Sequence, residues 1–286
     1  MASEGMVWQY YLVVYLDLLG QSESLRRIGS IPSNPSETDE FIQQVKDSLG
    51  KVLLVRDAFT EFFKHVESYE PDVSLVKPEH REEFIAAQRT RVISYSISDS
   101  LVIAVPLTGD DEFCTAMNGV RSTLLALCGL GLFLLSHGIP LRAGVEVGLA
   151  TQIGEHEIYG PALLTAFDLE SKEAEYPRFV VGHELMEYLN YVANQEPATR
   201  LGTVARETAK KCRNLIVRAD GQFMLDFLGK AVRDQFDDRL STKAFWDAFS
   251  YVRGQLDKFT KEGLTKLSCR YSRLAGYFDA NKCHWE

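Results

Sequence analysis

Residues 91–98 read RVISYSIS, with Ile93, Tyr95 and Ile97 alternating against Ser94, Ser96 and Ser98. A period of two over that length is the signature of a half-buried strand. Asp99 and Ser100 follow, then Leu101–Val105, closed by Pro106. Two strands around a Ser-Asp-Ser turn predict a hairpin with a carboxylate at its tip. A hairpin alone is barely stable in water, so this one requires further strands. The chain offers them at Val7–Leu16 (VWQYYLVVYL, ending on Asp17) and at Ile139–Ala150 (IPLRAGVEVGLA). The first is a nearly continuous apolar run, as expected of a central strand.

Helical spacing fills the intervals. Apolar residues over Phe41–Tyr69 recur at helical period, and Asp110–Ser136 predicts a long apolar helix in which Gly129 and Gly131 would admit another backbone. The loop between Gly20 and Phe41 and the stretch Glu70–Glu83 read as connectors. Beyond Ala150 the expected order is a short polar strand or turn at Glu155–Tyr159, a helix over Pro161–Ala174, a short strand at Arg178–Val181 and a helix over His183–Asn194. A hairpin through Ala219-Asp220-Gly221 and a helix over Thr242–Tyr277, weakened at Gly254 and Gly263, complete the chain. The order βαββαβ predicts an α+β, ferredoxin-like sheet with helices on one face and an extra C-terminal hairpin and helices. We expect one domain over residues 1–286, with a core at about 6–230 and a helical extension at about 240–286.

Composition narrows the function. The formal net charge is -9 and no dense Lys/Arg run occurs, which opposes nucleic-acid binding. Five cysteines, none at C-x-x-C spacing, read as reduced cytosolic thiols without a zinc site. The longest uncharged apolar run, Ser122–Ser136, falls short of the roughly 20 residues a membrane span needs. A buried helix in a cytoplasmic protein is the expectation.

Two acidic residues carry the chemistry. Asp17 closes the first strand, and Asp99 sits at the hairpin tip. In a βαββαβ sheet the first strand lies beside that hairpin, so the carboxylates can converge. Magnesium takes hard oxygen ligands, often one or two carboxylates plus phosphate oxygens. An aspartate at a strand end is also an ordinary turn former, and both readings stand at this point. Leu18, Leu19 and Gly20 complete D-L-L-G, where a glycine after a strand can turn backbone N–H groups toward a phosphate.

The motifs YLDLLG, SISDS, LRAGVEVG (Arg142, Gly144, Gly148) and EIYGPALLTAFDLESKEA, in that order over about Val7–Val181, resemble class III nucleotide cyclases. With YGPALLTAFDLESKEAEYPRFVVG, the late RADGQFMLDFLG and RYSRLAGYF, the likeness covers nearly the whole chain. Within the class it is closest to the pyrimidine cyclases of Pycsar bacterial antiphage systems. The resemblance implies a class III cyclase core and a homodimer with active sites at the interface. It also implies two Mg²⁺ or Mn²⁺ ions on Asp17, Asp99 and the Leu18 carbonyl. Base-reading positions fall on Tyr95, where the family usually has lysine, and Glu157, where it usually has aspartate. The family's transition-state Asn and Arg fall on Leu164 and Asp168, so Arg142 and Arg178 become the candidate cations. The implied activity is conversion of UTP to cyclic UMP and pyrophosphate, feeding a separate cyclic-nucleotide-sensing effector. CTP, a purine triphosphate and a catalytically silent nucleotide-binding relative are the alternatives. From residue chemistry alone, Tyr95 reads better as a core aromatic, and Arg142 and Arg178 read better as structural or surface residues.

Overall fold

The computed structural model describes residues 7–21, 28, 31–32, 34–67, 78, 81–86, 90–109, 111–155, 157–236 and 239–286. Most of residues 22–33 and of the connector over 70–83 lie outside them, whereas Pro35–Glu40, expected as loop, form the first turns of the helix that runs to Glu67. The core elements are β1 (Trp8–Leu18), α1 (Pro35–Glu67), α2 (Arg81–Ala86), β2 (Ile93–Ile97), β3 (Ser100–Pro106), α3 (Cys114–Ser136) and β4 (Leu141–Ile153). After β4 come β5 (Glu157–Tyr159), α4 (Pro161–Asp168), a π-helical turn (Leu169–Glu173), β6 (Phe179–Val181), α5 (His183–Ala193) and α6 (Arg200–Arg213). The chain continues through β7 (Ile216–Ala219), β8 (Gln222–Leu225), α7 (Lys230–Arg233), α8 (Arg239–Lys261) and α9 (Thr265–Asn281).

All eight strands join one mixed sheet, ordered β2-β3-β1-β4-β6-β8-β7 with β5 on β4. The first four strands pair antiparallel among themselves, with β1 between β3 and β4. That is the expected interleaved α+β, ferredoxin-like βαββαβ arrangement. β6 then adds parallel to β4, and the β7–β8 hairpin extends the edge. The hairpin turns on Asp220 (φ 52°) and Gly221 (φ 80°), two positive φ values that match an Asp-Gly type I′ turn.

Alternation along β1 divides two cores. Leu12, Val14, Leu16 and Leu18 face a large core with Phe59 and Phe63 of α1 and the apolar side of α3. Tyr11 and Val13 face a smaller core with Ile93, Ile158, Ala162 and Ala166. The helices therefore do not share one face, as the sequence had suggested: α4 covers the second. The reason lies in β4. A Cβ on Gly144 would come within 2.0 Å of the Ala166 carbonyl oxygen, and one on Gly148 within 3.2 Å of the Ala162 Cβ. The glycines of LRAGVEVG thus let a helix lie directly on the strand.

Helix α3 is long and apolar enough to cross a membrane by length and composition. Its residues are instead buried in the fold nearly all round. Gly129 and Gly131 admit aromatic rings, not a backbone: a Cβ at either would lie 2.7 Å from Phe62 or 2.6 Å from Phe179. The long C-terminal helix breaks at Gly263 (φ 70°) into α8 and α9, while Gly254 stays inside α8. Helix α6 was not foreseen. Its buried positions are Gly202, Ala205, Thr208, Ala209 and Cys212, too small to produce a strong apolar rhythm.

Two glycine substitutions should separate packing from propensity. Gly144→Ala should lower unfolding free energy by about 1–3 kcal/mol in denaturant titration, because α4 must lift from β4. Gly254→Ala has open space at its Cβ and should raise stability by up to about 1 kcal/mol.

Candidate active site

Sheet register builds the site. Asp17 stands opposite Ser100 of β3 and Arg142 of β4. Opposed residues share a face, so Ser100, Asp17 and Arg142 form a polar rung at one end of the smaller-core face. Asp99 immediately precedes Ser100, in a tight turn whose Ser98 adopts φ 56°. Asp17 lies inside the last turn of strand pairing, one residue deeper than expected, so its side chain is aimed by the ladder on both sides.

Hydrogen bonds fix that aim. The Tyr15 hydroxyl donates to Ser100 Oγ (3.1 Å), and Ser100 Oγ donates to Asp17 Oδ1 (3.1 Å). Phe167 of α4 packs edge-on against the Tyr15 ring, with centroids 5.2 Å apart. The Arg142 Nη2 group lies 3.4 Å from Asp17 Oδ2, at the long end of hydrogen bonding. Its Nε edge meets Glu170 Oε1 of the π-helical turn.

Glu170 was not foreseen from sequence. Its side chain is only 2% exposed, against 19% for Asp17 and 23% for Arg142. The widened turn, closed by the Ala174 N–H on the Leu169 carbonyl (2.9 Å), brings it over the sheet. Two carboxylates, Asp17 and Glu170, therefore share one guanidinium. Burial pushes the Glu170 carboxyl up to about 7; Arg142 opposes that rise, and Asp17 and Asp99 add to it. Burial, then the charge of Asp99, also raises Asp17, against the Ser100 and Arg142 hydrogen bonds.

These oxygens suit a divalent cation. Asp17 and Asp99 are hard donors whose mutual repulsion a metal would relieve. Among the described residues no group of three or more His, Cys, Asp or Glu side chains is arranged to hold a metal. Remaining ligands would have to come from the main chain and from a bound phosphate. The Leu18 side chain is buried in the large core, leaving only its carbonyl for such a role. The Leu19 N–H is spent on the Pro140 carbonyl (3.0 Å), so it is no phosphate donor. Gly20 (φ 87°) is an exposed turn glycine with open space around it.

The other expected residues fall into separate places. The Tyr95 hydroxyl donates to the Ile158 carbonyl of β5 (3.3 Å), beside Glu157. Burial raises its phenol, and the Glu157 charge adds to this. Tyr95 shares the smaller-core face with Ile158, and Glu157, the next residue in β5, alternates away from it. Leu164 is exposed, and Asp168 pairs with Lys172 (2.8 Å). Arg178 is not brought to the carboxylates. It is buried against the Tyr176 ring (4.6 Å), donates to the Glu173 carbonyl (2.5 Å) and lies 3.4 Å from Asp220. Its role is to tie the π-helical turn to the β7–β8 hairpin.

A cavity of about 260 Å³ adjoins the site, lined by Gln21, Ser48, Leu49, Val52, Ser98 and Asp99 among others. A larger one, about 790 Å³, lies between α1, α3 and α8, apart from the carboxylates.

No family model matches this chain, and no curated protein matches it. Among solved structures, two of a bacterial light-regulated adenylyl cyclase match 72% of this chain at 12% and 13% identity, with TM-scores of 0.37 and 0.38. The chain spans 59% of the length of each. The fold assignment above rests on strand order and pairing.

The Glu170 carboxyl should leave a signature in stability. Because its pKa is raised, the folded state holds this proton more tightly than the unfolded chain. Stability should therefore fall as pH rises from about 4.5 to about 7. The contribution lost over that window is on the order of 3 kcal/mol. Chemical denaturation at stepped pH should show that slope in the wild type and a flatter one in Glu170→Gln. An identical slope in both would place the burial cost elsewhere.

Proposed function

We propose that this chain is a divalent-metal-dependent nucleotide cyclase that forms a 3′,5′-cyclic nucleotide and pyrophosphate from a nucleoside triphosphate. The observation that carries the reading is the meeting of Asp17 and Asp99, 82 positions apart in sequence, at adjoining strand ends beside an exposed edge of Arg142. In the proposed reaction the ribose 3′-oxygen forms a bond to the α-phosphorus. The bond to the β-phosphate bridging oxygen breaks, pyrophosphate departs with the electron pair, and the 3′-hydroxyl proton passes to solvent. Mg²⁺ or Mn²⁺ on Asp17 and Asp99, with the Leu18 carbonyl, would acidify the 3′-hydroxyl and neutralise the triphosphate.

The chain's own residues do the rest. Tyr15 and Ser100 hold Asp17 in one rotamer, a form of preorganisation. Arg142, part-exposed beside Asp17, is the cation available to offset developing phosphate charge where Leu164 and Asp168 supply none. Tyr95 lies on the same rung as Tyr15, with Val102 between them. The family resemblance favours a homodimer in which each protomer offers its metal pair to one site and its base-facing residues to the other.

The resemblance to pyrimidine cyclases favours UTP as substrate, cyclic UMP as product and a role in antiphage signalling through a separate effector. A tyrosine hydroxyl can donate or accept, so Tyr95 is compatible with a rebuilt base pocket. Incubation of the purified chain with ATP, GTP, CTP and UTP and Mn²⁺, followed by product identification, tests the assignment. Cyclic UMP from UTP is the expected outcome; cyclic CMP, cyclic AMP or cyclic GMP would reassign the substrate. Asp17→Asn and Asp99→Asn should each lower turnover at least about 100-fold in a folded protein. Full activity in either would remove the metal reading. Tyr95→Phe should change the ratio of nucleotides used, and an unchanged ratio would remove Tyr95 from the base pocket.

A further inference from the structure

We infer that Glu170 is a positioning residue that restrains Arg142 and so leaves Asp17 available to a divalent cation. The inference rests on the metal reading of Asp17 and Asp99. Its basis is the unequal way the guanidinium is shared. The Nε edge is ion-paired, without hydrogen-bond geometry, with a carboxylate that is 2% exposed inside the π-helical turn, while Nη2 reaches Asp17 Oδ2 only at 3.4 Å. A guanidinium with a free choice of carboxylates adopts a close, two-pronged contact. Here one partner is fixed by α4 packing on Gly144, and the other by the Tyr15–Ser100 relay. The Nε anchor therefore keeps Arg142 at the margin of Asp17.

The arrangement bears on cation entry. A divalent ion arriving at Asp17 competes with Arg142 for the same carboxylate. With Glu170 holding the Nε edge, Asp17 is the weaker of the two attachments and is the one released. Arg142 then keeps its Glu170 contact while Nη2 becomes free. Without Glu170, Arg142 has Asp17 as its remaining carboxylate partner and closes on it.

Calorimetric titration of the full chain with Mn²⁺ alone, without nucleotide, tests this. Glu170→Gln should weaken Mn²⁺ binding by about three- to tenfold, and Arg142→Gln should tighten it by a similar factor. In an Arg142→Gln background, adding Glu170→Gln should change affinity by less than about twofold, since the residue through which it acts is gone. A purely structural Glu170 would shift the thermal midpoint and leave these affinities unmoved. Unchanged affinity in Glu170→Gln, or an equal loss in both backgrounds, would overturn the inference. Should Glu170→Gln fail to fold, Arg142→Gln decides: unchanged Mn²⁺ affinity there overturns it. Mn²⁺ binding that vanishes in Asp17→Asn but ignores Glu170→Gln would refute the positioning role alone. A wild-type chain that binds no Mn²⁺ would refute the metal reading and this inference together.

Discussion

Strand register governs this molecule. β1 is hydrogen-bonded on both sides, to β3 and to β4, and every second residue is committed to one of two cores. A slip of one position on either side would send Leu12, Val14 and Leu16 to the wrong face and carry Asp17 away from Ser100 and Arg142. The apolar burial that stabilises the sheet is therefore the same force that sets the carboxylate geometry. Each fully buried Val or Leu contributes about 1.5–3 kcal/mol, so the polar rung at the strand end is held by energies far larger than its own hydrogen bonds.

The second dependency is the close docking of α4. Two glycines in β4 remove the side chains that would hold the helix off, and Ala162 and Ala166 are small enough to fill the gap. Only at that separation does the π-helical turn reach the sheet, set Glu170 on Arg142 and place Phe167 against Tyr15. An electrostatic arrangement thus depends on missing atoms in a neighbouring strand. Arg178 serves the same end from outside, bracing the turn against Asp220.

How far the sequence revealed this follows from which interactions are local. The alternation in RVISYSIS and the apolar run before Asp17 reflect period-two burial, and they led to the hairpin, the strand order and the adjacency of Asp17 and Asp99. Glu170 left no such trace: it becomes important through a widened helical turn and a contact 28 positions back along the chain, at Arg142. Ser100 and Tyr15 were within reach, one residue after Asp99 and two before Asp17, but a hydroxyl and a phenol in strands look ordinary until their partners are known. Arg178 shows the converse. A cation on a strand near a suspected cleft suggested chemistry, whereas its burial and three partners show structure. Helix α6 escaped because its buried side is made of residues too small to register.

The position of β1 in the chain has a consequence for biosynthesis. β1, an interior strand, is translated before both of its neighbours, which end at Pro106 and Ile153. Until those segments are translated, an apolar stretch stands with both hydrogen-bonding edges open, which is a template for pairing with another nascent chain. Contacts this distant also make loop closure the slow step in acquiring the native topology. The conditions under which this protein is expressed, including temperature and chaperone supply, therefore bear directly on how much of it reaches the folded state.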